Sequence, residues 1–267
     1  MRENKVKRTL ARGGVSVGTM MLEFATTGIG RIAAEAGAEF AVFDMEHTGW
    51  SMETIRLLMA TSRAADIVPL VRVPTAQYHF IARALDVGAM GVVVPMVADA
   101  DQARLIVESA KYPPQGRRGC AFGVAHDDYR GGDLAAKLSH ANAEVMIIPQ
   151  IETAQGLRDV DRIAAVEGVD ALLIGPYDLS TSLGIPGQFD HAAFRDATRR
   201  VVEACERHGK AAVLATMDVG ELCAGPSNGF RMLMYLADVW IYQQALSRCF
   251  RSIRESLDAN GRPGSTS

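Results

Sequence analysis

The sequence predicts an α/β fold, a single closed (β/α)8 barrel (TIM barrel), on three observations. Eight short runs rich in apolar and β-branched residues recur along the chain. Longer segments with helical periodicity separate most of them, which is typical of a parallel sheet with crossover helices. The length of 267 residues suits a barrel, which takes about 250 residues. Eight runs favour a closed barrel over an open sheet, which has roughly five or six strands.

The predicted strands follow one another along the whole chain. They are Val15 to Leu22, Glu39 to Asp44, Ile67 to Val73, Gly91 to Val97, Val145 to Ile151, Ala171 to Ile174, Ala211 to Ala215 and Phe230 to Tyr235. The predicted helices are Ile29 to Ala36, Ser51 to Ala64, Tyr78 to Leu85, Ala100 to Tyr112, Ala154 to Ala165 and His191 to His208. Start and stop signals agree with these bounds, because Gly37 and Gly209 follow helices and the Ser51 hydroxyl can accept free N–H groups of a first turn.

No repeat or composition shift marks a second domain, so residues 1–267 are expected to form one domain with flexible ends near 1–13 and 259–267. One irregular stretch, 113–132, is too long for a simple connector. Loops of this kind are lids, interface arms or disordered segments, and the sequence leaves these three alternatives open.

Composition and charge exclude several function classes. A formal net charge of -3 gives no broad basic surface, so no nucleic-acid partner is expected. We expect no membrane span, and the basic start lacks the continuous apolar stretch of a signal peptide, which predicts a cytoplasmic protein. The four cysteines (Cys120, Cys205, Cys223 and Cys249) contain no C-x-x-C pair, which indicates reduced thiols rather than a zinc or redox site.

Polar residues are concentrated where the predicted strands end, which is the face of a barrel that carries function. The second strand ends in Asp44-Met45-Glu46-His47, the third in Arg72, the fifth in Gln150 and Glu152, and the sixth in Gly175-Pro176-Tyr177-Asp178. Acids, a base and a guanidinium are therefore predicted to converge on one mouth.

Glu152 and Asp178 end successive strands, so their carboxylates should be neighbours. Two oxygen ligands plus water suit a hard cation such as Mg²⁺ or Mn²⁺, with open positions for substrate. The alternative is that each carboxylate caps the helix after it. The segment GPYDLSTSLG reads as a strand, a turn and a helix start whose free N–H groups suit a carboxylate or a phosphate. Without a G-x-G-x-x-G motif or a Walker-type lysine, no nucleotide cofactor is expected.

His47 and Arg72 are the candidate catalytic side chains. An imidazole at a strand end can move a proton near neutral pH, with Asp44 or another acid orienting it, although a lone histidine is commonly structural. Arg72 ends an apolar strand and must meet an anion. That anion is Glu46, Asp44 or, if Arg72 is catalytic, an enolate oxygen.

The motifs FDMEHTGWS, VRVP, ALDVGAMGVVVPMV, YPPQGRRG and QIETAQG, with GPYDLSTSLG, occur in this order. Together they resemble the HpcH/HpaI family of class II, metal-dependent 2-keto acid aldolases over nearly the whole chain, from about Gly18 to Arg248. The QIET and GP-x-DLS pair is the most specific part. The resemblance implies a barrel of the phosphoenolpyruvate/pyruvate type that uses Mg²⁺, Mn²⁺ or Co²⁺.

Residue roles follow from the same resemblance. It implies that Glu152 and Asp178 hold the metal ion, which pyruvate chelates, and that Gln150 and the backbone amide of Tyr177 contact the substrate. His47 is then the general base.

The resemblance assigns two further catalytic roles. Arg72 steadies the enolate, and Asp86 raises the basicity of the histidine. Asp86, however, ends a helix, which a simple barrel places on the face opposite the mouth. Tyr177 also departs from the alanine of many members.

The expected reaction is reversible cleavage of a 4-hydroxy-2-keto acid to pyruvate and an aldehyde through a metal-stabilised enolate. No lysine ends a predicted strand, which argues against a Schiff-base aldolase. Two alternatives remain. One is a coenzyme A thioester lyase of the citrate-lyase-like type, for which only Arg117 and Arg118 are local phosphate-binding candidates. The other is a non-catalytic barrel that binds a metal or keto acid. The resemblance also implies a homo-oligomer, a hexamer, with the last helix and the 113–132 loop at its contacts.

Overall fold

The computed structural model describes residues 2–259 of the chain. Eight parallel strands form a closed barrel in sequence order, which confirms the predicted fold. The strands are β1 (Ser16–Met21), β2 (Phe40–Asp44), β3 (Val68–Arg72), β4 (Gly91–Val94), β5 (Met146–Ile151), β6 (Ala171–Ile174), β7 (Ala211–Thr216) and β8 (Phe230–Tyr235). Each lies within a residue or two of its predicted bounds, except that β4 stops before Pro95.

Helices surround the barrel and cover its ends. They are α1 (Lys5–Ala11), α2 (Ile29–Glu35), α3 (Met52–Ser62), α4 (Tyr78–Asp86), α5 (Ala100–Ala110), α6 (Leu134–Glu144), α7 (Ala154–Arg158), α8 (Val160–Ala164), α9 (Pro176–Ser182), α10 (Ala192–Arg207), α11 (Val219–Ala224) and α12 (Asp238–Ala259). Two short 3-10 helices, Ala125–Asp127 and Gly225–Asn228, complete the described elements. The one helix predicted over 154–165 is two, α7 and α8, because the chain leaves helical geometry at Asp159, whose carboxylate accepts the N–H of Ala100.

Strand residues alternate between two buried apolar clusters. Phe40 and Val42 belong to the cluster inside the barrel, whereas Ala41 and Phe43 belong to the cluster between the strands and the helices. This alternation is the two-residue period of a strand that is buried on both faces. Apolar side chains therefore fill the barrel, and the predicted polar residues lie at its mouth, where the strands end.

Strand register brings the predicted site residues together. β2 and β3 pair Phe40 with Val68 through Asp44 with Arg72, so these last two residues end adjacent strands side by side. β5 and β6 pair Ile151 with Ile174, which places the residues after them next to each other at the same rim.

The chain start differs from the prediction of a flexible end over 1–13. Residues 5–11 form α1, and Val6 is buried in the cluster inside the barrel. The Asn4 side chain caps α1 through the N–H of Lys7 and also donates to the backbone oxygens of Met90 and Glu144. These contacts fix the segment beneath the barrel. The other predicted flexible end, 259–267, lies outside the described residues apart from Ala259, which ends α12.

The irregular stretch 113–132 packs on the end of the barrel opposite the mouth. Arg118 is buried there and pairs with Asp86 at the end of α4, while Arg63, just after α3, pairs with Asp128. The stretch is therefore no lid over the mouth of its own chain. Among residues 2–259, no helix combines the length and the apolar character that crossing a membrane requires.

Candidate active site

Arg72 is the best-anchored side chain at the mouth. Its Nε and Nη2 donate to the two carboxylate oxygens of Asp44 over 2.7 and 2.9 Å, and Asp44 is fully buried. Burial opposes the charged form, but the hydrogen bonds and charge of Asp44 hold the pKa of Arg72 above its ordinary value. The sequence left Asp44 and Glu46 open as partners of Arg72. In the structure Asp44 is the principal partner, and Glu46 Oε2 lies 3.3 Å from Nη1 of Arg72.

Asp44 also shapes the turn after β2. Its two oxygens accept the backbone N–H groups of Glu46 and His47 over 3.0 and 3.1 Å. With the guanidinium of Arg72, this engages both oxygens of Asp44, so Asp44 fixes the backbone of His47 and not its ring. The carboxylate beside the ring is Glu46, whose Oε2 lies 3.8 Å from Nε2 of a His47 side chain that is 58% exposed.

The sequence did not predict that the carboxylate of Glu46 is buried at the mouth. Burial raises its pKa to about 7, Arg72 lowers it, and the charges of Glu152, Asp44 and Asp178 raise it. Its Oε2 is buried and makes no hydrogen bond. The only sequence signal was its place in the D-x-E-H run at a strand end.

Glu152 is buried and closely held. Its Oε1 accepts the backbone N–H of Met96, and its Oε2 accepts the side-chain amide of Gln150. Burial raises the pKa of Glu152, these two hydrogen bonds lower it, and the charge of Asp178 raises it. The charge of Asp178 acts on both Glu152 and Glu46, so the three carboxylates lie near one another at the mouth, and the role of Glu152 and Asp178 as metal ligands stays a prediction.

A divalent cation fits this set of donors. Residues 2–259 hold no group of three or more His, Cys, Asp or Glu side chains arranged as metal ligands. A site built on Glu152 and Asp178 would therefore complete its coordination with substrate and water, as Mg²⁺ commonly does. Gln150 Oε1 is buried and lacks a hydrogen-bond partner. A Cβ at Gly175 would come within 2.6 Å of Glu152 Oε2, so only a glycine lets the backbone after β6 pack this closely against that carboxylate.

Two sequence-predicted residues are placed differently from the rest. Asp86 lies at the C-terminal end of α4, at the end of the barrel opposite the mouth, where its carboxylate pairs with Arg118 over 2.6 Å. It therefore does not contact His47 of its own chain. Tyr177 lies in the first turn of α9, where backbone N–H groups lack helical partners. Its exposed ring packs edge-on against Phe189, with ring centroids 5.3 Å apart.

Comparisons with known proteins agree with this geometry. The family model described as HpcH/HpaI aldolase/citrate lyase matches residues 20–223. A hydroxypyruvate/pyruvate aldolase of Roseobacter denitrificans is 34% identical over 236 residues, covering 88% of this chain and 91% of its own. A 4-hydroxy-2-oxovalerate aldolase of Novosphingobium aromaticivorans is 33% identical, with 97% of each chain covered.

A solved structure extends the agreement to the whole fold. The crystal structure of an HpcH/HpaI aldolase from Desulfitobacterium hafniense superposes with a TM-score of 0.91 at 33% identity, covering 98% of each chain. The barrel, its rim of acids and these matches confirm the resemblance drawn from the motifs: the chain belongs to the HpcH/HpaI aldolase/citrate lyase family.

Proposed function

We propose that the protein is a divalent-metal-dependent aldolase, a carbon–carbon lyase that reversibly cleaves a 4-hydroxy-2-keto acid to pyruvate and an aldehyde. The observation that supports the proposal is that the buried carboxylate of Glu152 and the charge of Asp178 lie close enough to interact at the rim that also carries Arg72, Glu46 and His47. Relatives named as aldolases, at 33–34% identity over nearly the full chain, support the reaction class.

The proposed metal ligands are Glu152 and Asp178, for Mg²⁺, Mn²⁺ or Co²⁺. When bound, such an ion supplies Lewis-acid polarisation of the substrate's keto oxygen, which stabilises developing negative charge by several kcal/mol. Gln150 and the backbone amide of Tyr177 are proposed to bind the keto acid. The unpartnered Oε1 of Gln150 supports this, because a buried amide oxygen is expected to find a donor.

Proton transfer is assigned to His47. Its exposed imidazole is accessible to a substrate hydroxyl, and loss of that proton lets the carbonyl of the leaving aldehyde form as the carbon–carbon bond breaks. The bonding electrons pass to the pyruvate fragment as an enolate. Arg72, held rigidly by Asp44, is a preorganised positive charge for that oxygen. The role of Asp86 in raising the basicity of His47 has no support within one chain.

The coenzyme A alternative loses its sequence basis. Arg118 is buried against Asp86, and Arg117 lies near Glu108 of α5, both on the end opposite the mouth. Neither can bind nucleotide phosphates at the mouth of its own barrel.

We also propose a homo-oligomer in which α12 docks on a second copy. Of the described residues of α12, only Asp238 is buried, while Phe250, Ile253 and Leu257 form an exposed apolar row. The same chain has a groove of about 1210 Å³ beside α10, lined by apolar residues that include Phe194 and Phe230. A hexamer is the state implied by the resemblance, and a cytoplasmic location fits the four free cysteines. Light scattering on Phe250→Asp should report a smaller assembly than wild type; an unchanged mass would contradict the docking.

The reaction is tested by exchange of the methyl protons of pyruvate with deuterated water. With Mg²⁺, Mn²⁺ or Co²⁺ the wild type should catalyse exchange, and a chelator should stop it. Glu152→Ala and Asp178→Ala should abolish exchange, whereas Glu167→Ala, which removes an exposed carboxylate between β5 and β6, should not. Persistent exchange in the first two variants would overturn the metal assignment. Absence of exchange in the wild type would favour the non-catalytic binding barrel.

A further inference from the structure

Tyr177 places an exposed aromatic ring directly beside a proposed metal ligand. The residue is 64% exposed, and it precedes Asp178 in the first turn of α9. A single exposed ring needs no explanation in a folded protein. The ring of Tyr177 is, however, the outer member of a row of rings that begins in the core.

Two phenylalanines hold the ring of Tyr177. Its centroid lies 5.3 Å from that of Phe189 at an interplanar angle of 83°, and Phe189 packs on Phe194 with centroids also 5.3 Å apart. Phe194 belongs to the buried cluster between the strands and the helices. Edge-on and tilted pairs at these distances are favourable arrangements of aromatic rings. The row therefore fixes the ring from one side and leaves its remaining surface free to contact a ligand.

The open space beside Tyr177 reaches the interior of the barrel mouth. Tyr177 and Phe189 line the groove of about 1210 Å³ beside α10, and so do Ala215 of β7 and Leu236, which follows β8. Ala215 and Leu236 also pack against the cluster inside the barrel. A molecule bound at the mouth can therefore extend over the ends of β6, β7 and β8 towards the ring of Tyr177.

The mouth is divided by polarity. The proposed catalytic and metal-binding side chains lie at the ends of β2, β3, β5 and β6, whereas the groove meets the mouth at apolar residues such as Ala215, Leu236 and Trp240. In a 4-hydroxy-2-keto acid, the keto acid and hydroxyl groups are polar, and the chain of the aldehyde portion extends beyond them. An apolar chain gains free energy by leaving water for an apolar surface. Such a chain therefore fits the side of the mouth that carries Tyr177.

We propose that Tyr177 is a specificity-determining residue: its ring forms one wall of the subsite for the aldehyde chain and selects an uncharged aldehyde with an apolar or aromatic chain. The proposal rests on the proposed aldolase function and names its substrate class. Charge supports the selection, because five carboxylates and only two guanidinium groups line the groove. Two of these carboxylates, Asp190 and Asp218, come just after Phe189 and β7, where they repel an anionic chain.

The reverse reaction, which joins pyruvate to an aldehyde, tests the subsite with chosen aldehydes. Tyr177→Ala removes the ring, Tyr177→Phe keeps the ring without its hydroxyl, and Leu105→Ala, which shortens an exposed side chain of α5, is the control. In Tyr177→Ala we expect kcat/KM for benzaldehyde to fall by about 3- to 10-fold, the effect of losing one aromatic contact. For acetaldehyde, whose chain is a single methyl group, kcat/KM should match wild type. Tyr177→Phe and Leu105→Ala should match wild type with both aldehydes. Wild type should use butanal better than 4-oxobutanoate, which has a carboxylate in place of the methyl group.

Exchange of the pyruvate methyl protons separates this proposal from the proposed function, because exchange needs no aldehyde. Tyr177→Ala should exchange like wild type. If wild type itself fails to exchange, the aldolase function fails and the subsite with it. If exchange is normal but Tyr177→Ala uses benzaldehyde as well as wild type does, the proposal alone is overturned.

Three further outcomes would also overturn the proposal. An equal loss with both aldehydes, or weaker Mn²⁺ binding in Tyr177→Ala, would make the ring a support for Asp178. A smaller mass of Tyr177→Ala in light scattering would make the ring a contact between copies of the chain. A wild type that prefers 4-oxobutanoate to butanal would contradict the uncharged substrate class.

Discussion

Arg72 and Asp44 form a buried ion pair at the mouth, and Asp44 also accepts the backbone N–H groups of Glu46 and His47. The pair is bidentate, since two guanidinium nitrogens each donate to a different carboxylate oxygen, over 2.7 and 2.9 Å, and such pairs are among the stronger hydrogen bonds in proteins. The proposed role of Arg72 is to stabilise the enolate during turnover. The structure adds a role in folding, because removing the guanidinium leaves Asp44 enclosed without its counter-ion.

Arg72→Ala should therefore lower both turnover and the free energy of unfolding. The stability loss should be about 3–5 kcal/mol, the usual result of leaving a buried charge unpaired. Urea unfolding measures it. The control is Arg199→Ala on α10, which breaks an exposed pair with Asp196 and should cost under about 1 kcal/mol. A loss in Arg72→Ala no greater than in the control would contradict the anchoring role of the pair.

Glu46 gives the metal-free protein a dependence of stability on pH. Burial is the main cause that raises its pKa to about 7, so the folded state binds this proton more tightly than the unfolded state. Ionising Glu46 in the folded state lowers the free energy of unfolding. This loss is absent below the ordinary pKa near 4.5, grows as the pH rises towards 7 and is complete above 7.

Glu46→Gln should accordingly raise the Tm of the chelator-treated protein at pH 8 and leave it nearly unchanged at pH 4, below the ordinary pKa. Allowing for solvent screening at this partly exposed site, the gain should be about 1–2 kcal/mol. Thermal unfolding at the two pH values measures it. An equal effect at both would show that the side chain acts through packing and not through its charge.

At the scale of elements, the turn after β4 holds the metal-ligand candidate Glu152. Met96 has a left-handed backbone, with φ of 57°, which aims its N–H at Glu152 Oε1. The next residue, Val97, packs its carbonyl against Gly156 in α7, where a Cβ would come within 2.3 Å of that oxygen. The strand end and the helix therefore fit only with a glycine at this position.

Gly156→Ala should displace this turn and with it the hydrogen bond to Glu152. We expect a stability loss of about 1–3 kcal/mol, the usual effect of inserting a group into a packed site. Weaker Mn²⁺ binding should accompany it. Chemical denaturation and calorimetry measure the two effects. Gly131→Ala, where a Cβ meets nothing within 4 Å, is the matched control and should change neither. Unchanged Mn²⁺ affinity would separate the turn from the metal site.

For the whole molecule, the proposed cation joins β5 and β6 and should stabilise the complete barrel, because it binds the folded state and not the unfolded one. Mn²⁺ at about 100 times its Kd should contribute about 2.7 kcal/mol. In a chain of this size that corresponds to a rise in Tm of roughly 5–10 °C. Differential scanning calorimetry should show the rise in wild type and none in Glu152→Ala or Asp178→Ala. A rise that persists in both variants would place the ion elsewhere.

The sequence by itself determined the barrel, the strand bounds and the identity of the rim residues. β-branched runs, helix caps and glycines act locally, so the residues that encode each strand lie within it, and parallel strand ends must meet at one rim. Glu152 and Asp178 were predicted to be neighbours for this reason. The same local logic missed α1, α6 and α11, and of these α11 packs against β7 and β8.

Only the tertiary structure decided which charges compensate one another. Arg72 pairs with Asp44, and Asp86 pairs with Arg118 at the opposite end of the barrel, so each pair joins residues from separate elements. The burial of Val6 of α1 inside the barrel and the unpartnered oxygen of Glu46 also depend on how distant segments pack. An electrostatic interaction depends on distance and burial in three dimensions, and neither quantity is encoded in the spacing of residues along the chain.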